Sequence, residues 1–138
     1  MPILFLLLAA SAQAFEAPSF TPNVVDEAGV LSVEEVAELN HEIAVIREQS
    51  KIFAAVLLVG TIAPTTIEDA AERTFKKWRL GQKEANNGLL IIAAIEDRKI
   101  RIEVGYGLEP SIPDAKARQV IETAIVPRFK KLEYAAGL

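Results

Sequence analysis

Apolar residues at helical spacing mark the first of several elements that alternate along the chain. The first apolar stripe consists of Val36, Leu39, Ile43 and Ile46. Ser32 precedes the stripe, and Glu35 follows Ser32 by three residues, which is the spacing of a capping box. The pattern therefore predicts an amphipathic helix that begins at Ser32 and packs against an apolar surface.

A second helical pattern follows Thr65 and Thr66, either of which can cap a helix with the acidic residue three positions later. Its apolar face consists of Ile67, Ala71, Phe75 and Trp78. Because glycine readily adopts the left-handed conformation of a helix C-cap, Gly81 is expected to end this helix.

A third helical pattern opens at Pro113 and Asp114, where the proline suits the start of a helix. Its predicted apolar face consists of Ala117, Val120, Ile121, Ala124 and Ile125. Pro127 is expected to kink or end the helix, because proline removes a backbone donor, and Phe129 should begin the last apolar contact.

Strand patterns separate the helices. Residues 23–26 form a short extended piece, and residues 52–59 and 89–95 are near-continuous apolar runs. Such runs are typical of strands that are buried on both faces of a sheet. Residues 100–104 alternate between apolar and charged side chains, and the charged residues 96–99 suit a hairpin turn before them.

The order of these elements predicts one α/β domain, since 138 residues are enough for a single domain. Strands that alternate with helices indicate a sheet covered by helices on both faces. The second and third strands should be parallel, joined by a crossover helix. The hairpin adds an antiparallel strand, so the predicted sheet is mixed.

The N-terminus resembles a secretory leader. Residues 3–10 are apolar, and Ala12 and Ala14 are small residues on either side of Gln13, as a signal peptidase prefers. We therefore assign residues 1–14 to a signal peptide and 15–138 to the domain, which places the mature protein in the periplasm or outside the cell. No Lys or Arg precedes the apolar run, and the alternative is a buried N-terminal strand or helix. The run is too short to span a bilayer, so the mature chain is expected to have no membrane span.

Composition excludes several classes of function. The formal net charge of −4 argues against nucleic acid as a partner, because phosphates require a basic surface. The chain has no cysteine and one histidine, so disulfides, thiolate chemistry and a structural zinc site are not expected. That histidine, His41, should lie on the solvent side of the first helix.

The polar residues of greatest interest lie at the two ends of the predicted hairpin. Asn86, Asn87 and Gly88 precede its first strand, and residues 105–109 follow its second strand. Because paired antiparallel strands bring these ends together, we expect one polar loop cluster, with Asp114 close behind. Its oxygens suit calcium or another divalent cation. The same residues also suit ordinary turns and a helix start, and on local pattern alone we favour that interpretation over a cation site.

Three segments of the chain resemble the TPM domain family. They are Val-Asp-Glu-Ala-Gly-Val-Leu-Ser at 25–32, Asn-Asn-Gly-Leu-Leu-Ile at 86–91, and the run from Asp-Arg-Lys to Gly-Tyr-Gly-Leu-Glu at 97–109. The resemblance implies an exported or lumenal α/β domain, often tethered to a membrane by a later helix. Some members of this family are described as acid phosphatases, and some bind calcium.

By motif, the resemblance carries the polar cleft of the family to five metal-binding candidates: Asp26, Asn86, Asn87, Glu109 and Asp114. The first asparagine stands where many members have aspartate, and this loss of charge should weaken metal affinity. If the first strand runs parallel to the second, Asp26 lies at the other end of the sheet.

Two functions follow, and a purely structural interaction module is a third interpretation. The first is an extracytoplasmic calcium-binding domain with an accessory or regulatory role towards a membrane protein or envelope complex. The second is a metal-assisted acid phosphatase acting on phosphomonoesters, with Glu109 or Asp114 as general base. We favour binding, because phosphoryl chemistry requires basic residues and the nearest in sequence is Lys83.

Overall fold

The computed structural model describes residues 14–83 and 85–125. Most of the leader, together with Pro127 and Phe129, therefore lies outside the described residues. The elements are β1 Val24–Asp26, α1 Val33–Ser50, β2 Phe53–Val59, α2 Ile67–Trp78, β3 Gly88–Ala94, β4 Lys99–Val104 and α3 Asp114–Val120. A 3₁₀ turn, Tyr106–Leu108, follows β4, and a π-helical turn, Ile121–Ile125, follows α3.

The four strands form one mixed sheet in the order β1-β2-β3-β4. β1 and β3 both run parallel to β2, with Asp26 opposite Leu58 and Phe53 opposite Gly88. β4 is antiparallel to β3, which confirms the predicted hairpin. We call the edge where β1, β2 and β3 begin the amino end of the sheet, and the edge where they finish the carboxyl end.

Helices cover both faces of the sheet, as the sequence predicts. On one face, α2 packs through Ala70, Ala71 and Trp78 against Leu57 and Leu90. The opposite face receives α1 through its buried Leu39 and Ile43. α3 packs on that second face through Ala117, against the buried Ile102 of β4. No helix in the described part of the chain is long and apolar enough to cross a membrane.

The helix starts agree with the sequence, whereas one helix end does not. The Ser32 hydroxyl accepts a hydrogen bond from Glu35 N at 3.1 Å, and the Glu35 carboxylate accepts one from Ser32 N at 3.0 Å, so the capping box is present. α2 ends earlier than expected, because Arg79 adopts the left-handed C-cap conformation at φ 50°. Gly81, at φ 83°, turns the chain two residues later.

The predicted apolar face of α3 is partly wrong. Val120 is 39% exposed, although its spacing suggested burial. Ala117 is buried and Ile121 packs beside it, because these positions, four residues apart, define the stripe that faces β4. Val120 lies at the side of that stripe. The side chains of Ala124 and Ile125 lie outside the described part of the chain.

The segment before β1 is bound to α2 and its N-terminal loop. We call residues 15–22 the N-terminal strap. Phe15 N donates a hydrogen bond to Thr65 Oγ1 at 2.7 Å, and Trp78 Nε1 donates one to Pro18 O at 2.8 Å. The Phe20 ring packs against the Trp78 ring with centroids 4.8 Å apart and the ring planes tilted by 31°. The strap therefore belongs to the folded domain.

Candidate functional site

The two loops of the predicted polar loop cluster meet at the amino end of the sheet. Gly105 N donates a hydrogen bond to Gly88 O at 2.8 Å, and Gly107 N donates one to Asn86 O at 3.0 Å. The predicted juxtaposition is therefore correct. These bonds fix the loops relative to each other and extend the β3–β4 pairing beyond the strands.

The glycines of the second loop are required by this close approach. A Cβ atom at Gly105 would overlap the carbonyl group of Asn86, and one at Gly107 would overlap that of Ala85. Neither glycine has a left-handed φ, so space and not backbone conformation selects the residue here. The loop cluster is consequently built with backbone packed directly on backbone.

The two asparagines occupy different environments. Asn87 is 7% exposed, and its amide oxygen accepts a hydrogen bond from Gln82 N at 2.7 Å. Its amide nitrogen donates to Lys51 O at 2.5 Å. Asn86 is exposed and adopts a left-handed φ of 48°. The Asn87 amide is therefore committed to joining the chain before β3 to the end of α1, whereas the Asn86 side chain faces solvent.

The carboxylate candidates of the loop cluster follow the 3₁₀ turn. Glu109 is exposed, and its backbone N donates a hydrogen bond to Tyr106 O at 3.4 Å. Ile112 N donates one to Leu108 O at 2.8 Å, which holds the chain compact before α3. The backbone of Asp114 forms the first residue of α3. Within the described residues, the Asn86 and Glu109 side chains make no hydrogen bond.

Asp26 lies away from the loop cluster, at the carboxyl end of the sheet, because β1 is parallel to β2. Its carboxylate accepts hydrogen bonds from Gly29 N and Leu31 N, each at 2.8 Å, and from Val30 N at 3.3 Å. These bonds order the loop between β1 and α1. The structure thus separates Asp26 from the other four candidates and gives its carboxylate a local role.

The donor set fits a divalent cation only in part. Within residues 14–83 and 85–125, no group of three or more His, Cys, Asp or Glu side chains is placed to hold a metal ion. The remaining candidates near the loops are Asn86, Glu109 and Asp114. Amide, carboxylate and backbone oxygens are the donors that calcium prefers, but so few charged ligands favour weak binding.

A carboxylate at the carboxyl end has a structural role that the sequence did not reveal. Asp97, interpreted from sequence as part of a charged turn, accepts hydrogen bonds from Thr61 Oγ1 at 2.9 Å and from Ile62 N at 2.8 Å. It thereby joins the hairpin turn to the loop that follows β2. Only the parallel pairing of β2 with β3 places these segments side by side, so no local motif identifies the contact.

A cleft lined by two arginines lies at the amino end of the sheet. The sequence analysis did not predict this cleft. Its volume is about 230 Å³, and its walls include Phe20, Phe53, Trp78, Arg47 and Arg79. Neither arginine forms an ion pair with the described residues. We call this the arginine cleft. Four separate segments of the described chain form it, so no stretch of sequence carries its signature.

The arginine cleft adjoins the loop cluster through Gly81, which also lines it. A Cβ atom at Gly81 would lie 2.9 Å from Gly88 Cα and 3.0 Å from the Asn87 carbonyl carbon. The turn that closes one side of the cleft is therefore packed directly against the first loop of the cluster. Both features share one end of the sheet.

Another basic side chain near the second loop is already paired. Lys76 Nζ donates a hydrogen bond to Glu72 Oε1 at 2.7 Å on the exposed surface of α2. This hydrogen bond lowers the pKa of Glu72 and raises that of Lys76, to which the nearby Tyr106 adds a smaller effect. The charge of Lys76 is thus directed at Glu72 and not at the loop cluster.

The fold is that of a helix-covered α/β domain with a mixed four-stranded sheet and a glycine-rich loop junction at its amino end. The sequence pattern of the TPM domain matches residues 24–138. The chain therefore belongs to the TPM domain family. No curated protein matches it.

Solved structures agree with this assignment. The N-terminal domain of a protein from P. gingivalis is 33% identical, with a TM-score of 0.76 over 83% of this chain and 73% of that one. The N-terminal domain of the cg2496 protein from Corynebacterium glutamicum is 17% identical, with a TM-score of 0.66 over 89% and 77% of the two chains. The BA42 protein from Bizionia argentinensis is 23% identical, with a TM-score of 0.67 over 78% and 72%. The last two support the fold alone.

Proposed function

We propose that this TPM domain is an extracytoplasmic divalent-cation-binding domain, with calcium as its cation, that serves membrane or envelope partners without catalysis of its own. One observation carries the proposal. The hydrogen bonds between residues 86–88 and 105–107 bring an exposed asparagine amide into the loop system that continues to Glu109. Flexible sets of amide, carboxylate and backbone oxygens are typical calcium sites.

The small number of side-chain ligands determines the calcium affinity that we expect. Asn86, Glu109 and Asp114 would supply side-chain oxygens, and water or backbone carbonyls would complete the coordination. Only two of these side chains carry charge, so we expect a dissociation constant of about 0.1 to 1 mM, as in weak extracellular calcium modules. Asp26 and the Asn87 amide are excluded from the proposed set, because their oxygens already serve the hydrogen bonds described above.

Glu109→Gln should weaken calcium binding by about tenfold, because it removes one of the charged ligands. Calcium titration followed by amide chemical shifts measures the effect, and the shifts should centre on residues 85–88 and 105–109. Glu96→Gln is the matched control, since Glu96 is an exposed carboxylate at the hairpin turn, at the opposite end of the sheet. An equal loss of affinity in both variants, or no shift in these loops at 10 mM calcium, about ten times the weakest expected constant, contradicts the proposal.

Hydrolysis of phosphomonoesters is the second candidate, and the arginine cleft at the same sheet end is the observation that favours it. Arginine can neutralise charge that develops on a phosphoryl group. However, Arg47 and Arg79 line the cleft and not the loop cluster, and no described side chain forms a nucleophile–base pair beside them. When phenyl phosphate is added as a phosphomonoester to the same calcium titration, we expect it to remain intact. Sustained phosphate release that is lost in Asp114→Asn would replace the binding proposal with the hydrolase.

We also propose that the domain acts outside the cytoplasm after removal of residues 1–14. The leader pattern supports export, and the contacts of Phe15 with Thr65 and the core support a folded domain that starts at the proposed cleavage point. Protein isolated from the envelope fraction should therefore begin at Phe15, as read by intact mass and N-terminal sequencing. Recovery of the protein in the cytoplasm with residues 1–14 still attached contradicts this expectation.

A further inference from the structure

We propose that the arginine cleft is a binding site for a small organic oxyanion, a phosphate or carboxylate group attached to one compact apolar group. This inference does not depend on the cation site, because its residues are different. It rests on three features of the cleft: its apolar walls, the two arginine residues that line it and its volume.

The apolar walls come from elements that are fixed in place. The Phe20 and Trp78 rings pack together at a tilt, with centroids 4.8 Å apart, and Trp78 Nε1 donates a hydrogen bond to Pro18 O. Phe53 begins β2, and Ile43 is a buried residue of α1. A cleft of this kind can enclose an aromatic or aliphatic group without rearrangement, and preformed apolar walls with a few placed polar groups are typical of ligand sites.

The guanidinium groups define the charge of the ligand. Arg47 lies in the last turn of α1, and Arg79 is the C-cap of α2, so two helix ends bring them to the same cleft. Neither forms an ion pair within the part of the chain that the structure describes. In a chain of net charge −4, two such arginines in one cleft are a local positive site. Guanidinium groups bind carboxylates and phosphates through paired donors.

The volume limits the size of the ligand. A dry protein cavity of about 150 Å³ holds one benzene molecule. The 230 Å³ of the arginine cleft therefore accommodates one aromatic ring with one oxyanion group. Phenyl phosphate and benzoate are suitable probes for the two oxyanion classes, and benzyl alcohol is the neutral probe of similar size.

Amide chemical shifts, recorded with each probe in the presence of a metal chelator, test the proposal without involving the cation site. Phenyl phosphate or benzoate should shift Phe53, Ala54 and residues 79–81 saturably, with a dissociation constant of about a few millimolar for a ligand of this size. Arg47→Gln and Arg79→Gln should each weaken binding by about two- to fivefold, as expected for exposed ion pairs, and the double variant by about tenfold.

Arg98→Gln is the matched control for Arg79→Gln. Arg98 is exposed and has a left-handed φ of 54°, close to the 50° of Arg79, but it lies in the hairpin turn at the opposite end of the sheet. Its substitution should leave the affinity unchanged. Equal weakening by Arg98→Gln, equal binding of benzyl alcohol, or no saturable shift at the cleft residues would each overturn the proposal. Preference for phenyl phosphate or for benzoate identifies which oxyanion the site selects.

Discussion

Replacing Gly81 by alanine is expected to lower the free energy of unfolding by about 2 to 5 kcal/mol, because two penalties combine at this position. Gly81 has a φ of 83°, which a residue with a Cβ atom rarely adopts, and the new Cβ would lie 2.9 Å from Gly88 Cα. The obstruction is backbone and not a flexible side chain, so the turn and the start of β3 would have to separate. Urea denaturation measures the loss.

Gly29→Ala separates the two penalties. Gly29 also has a left-handed φ, 68°, but nothing lies within 4 Å of its missing Cβ atom. This control should therefore lose only the conformational part, about 1 kcal/mol. If both variants lost the same amount, the close approach of residue 81 to β3 would carry no energetic weight.

Replacing Asn87 by alanine should destabilise the domain by about 2 to 3 kcal/mol, because its buried amide would no longer make two partly buried hydrogen bonds to the backbone. Gln82 N would lose its acceptor at 2.7 Å, and Lys51 O would lose its donor at 2.5 Å. The first loop of the cluster would then be released from the end of α1. Thermal and urea unfolding measure the stability, and hydrogen exchange at Gln82 reports the freed amide directly.

Asn86→Gly is the neighbouring control for this second variant. Asn86 is exposed and left-handed at φ 48°, a conformation that glycine adopts at no steric cost. Its stability should change by no more than about 0.5 kcal/mol, as at other surface positions. A large loss in Asn86→Gly, or none in Asn87→Ala, would show that the adjacent asparagines have the opposite roles.

The sequence predicted the fold well because its strongest signals are local and agree with each other. The continuous apolar runs became β2 and β3, and the Ser32–Glu35 capping box set the start of α1. The end of α2 was harder. Arg79, a residue with no intrinsic preference for the left-handed conformation, ends the helix, whereas Gly81 is required two residues later by contact with β3. That contact is tertiary. The helix-end rule, applied to Gly81, therefore placed the end of α2 two residues too late.

The candidate site was predictable only where one hairpin determines it. Strand pairing alone brings residues 86–88 beside residues 105–107, and this juxtaposition could be read from the sequence. The roles of individual side chains could not. Whether an asparagine faces solvent or bonds to Lys51 O depends on how α1 ends, and the position of Asp26 depends on the direction of β1. The arginine cleft combines segments that share no local pattern.

The N-terminal strap has a consequence for the order in which the chain can assemble. Its contact from Pro18 to Trp78 spans 60 residues of sequence, and the contact from Phe15 to Thr65 spans 50. Closing such long loops costs entropy, so these contacts are expected to form after the local contacts of the intervening elements. Residues 15–22 are therefore expected to dock once α2 and the loop before it are in place. One wall of the arginine cleft is accordingly completed late, by the segment that is synthesised first.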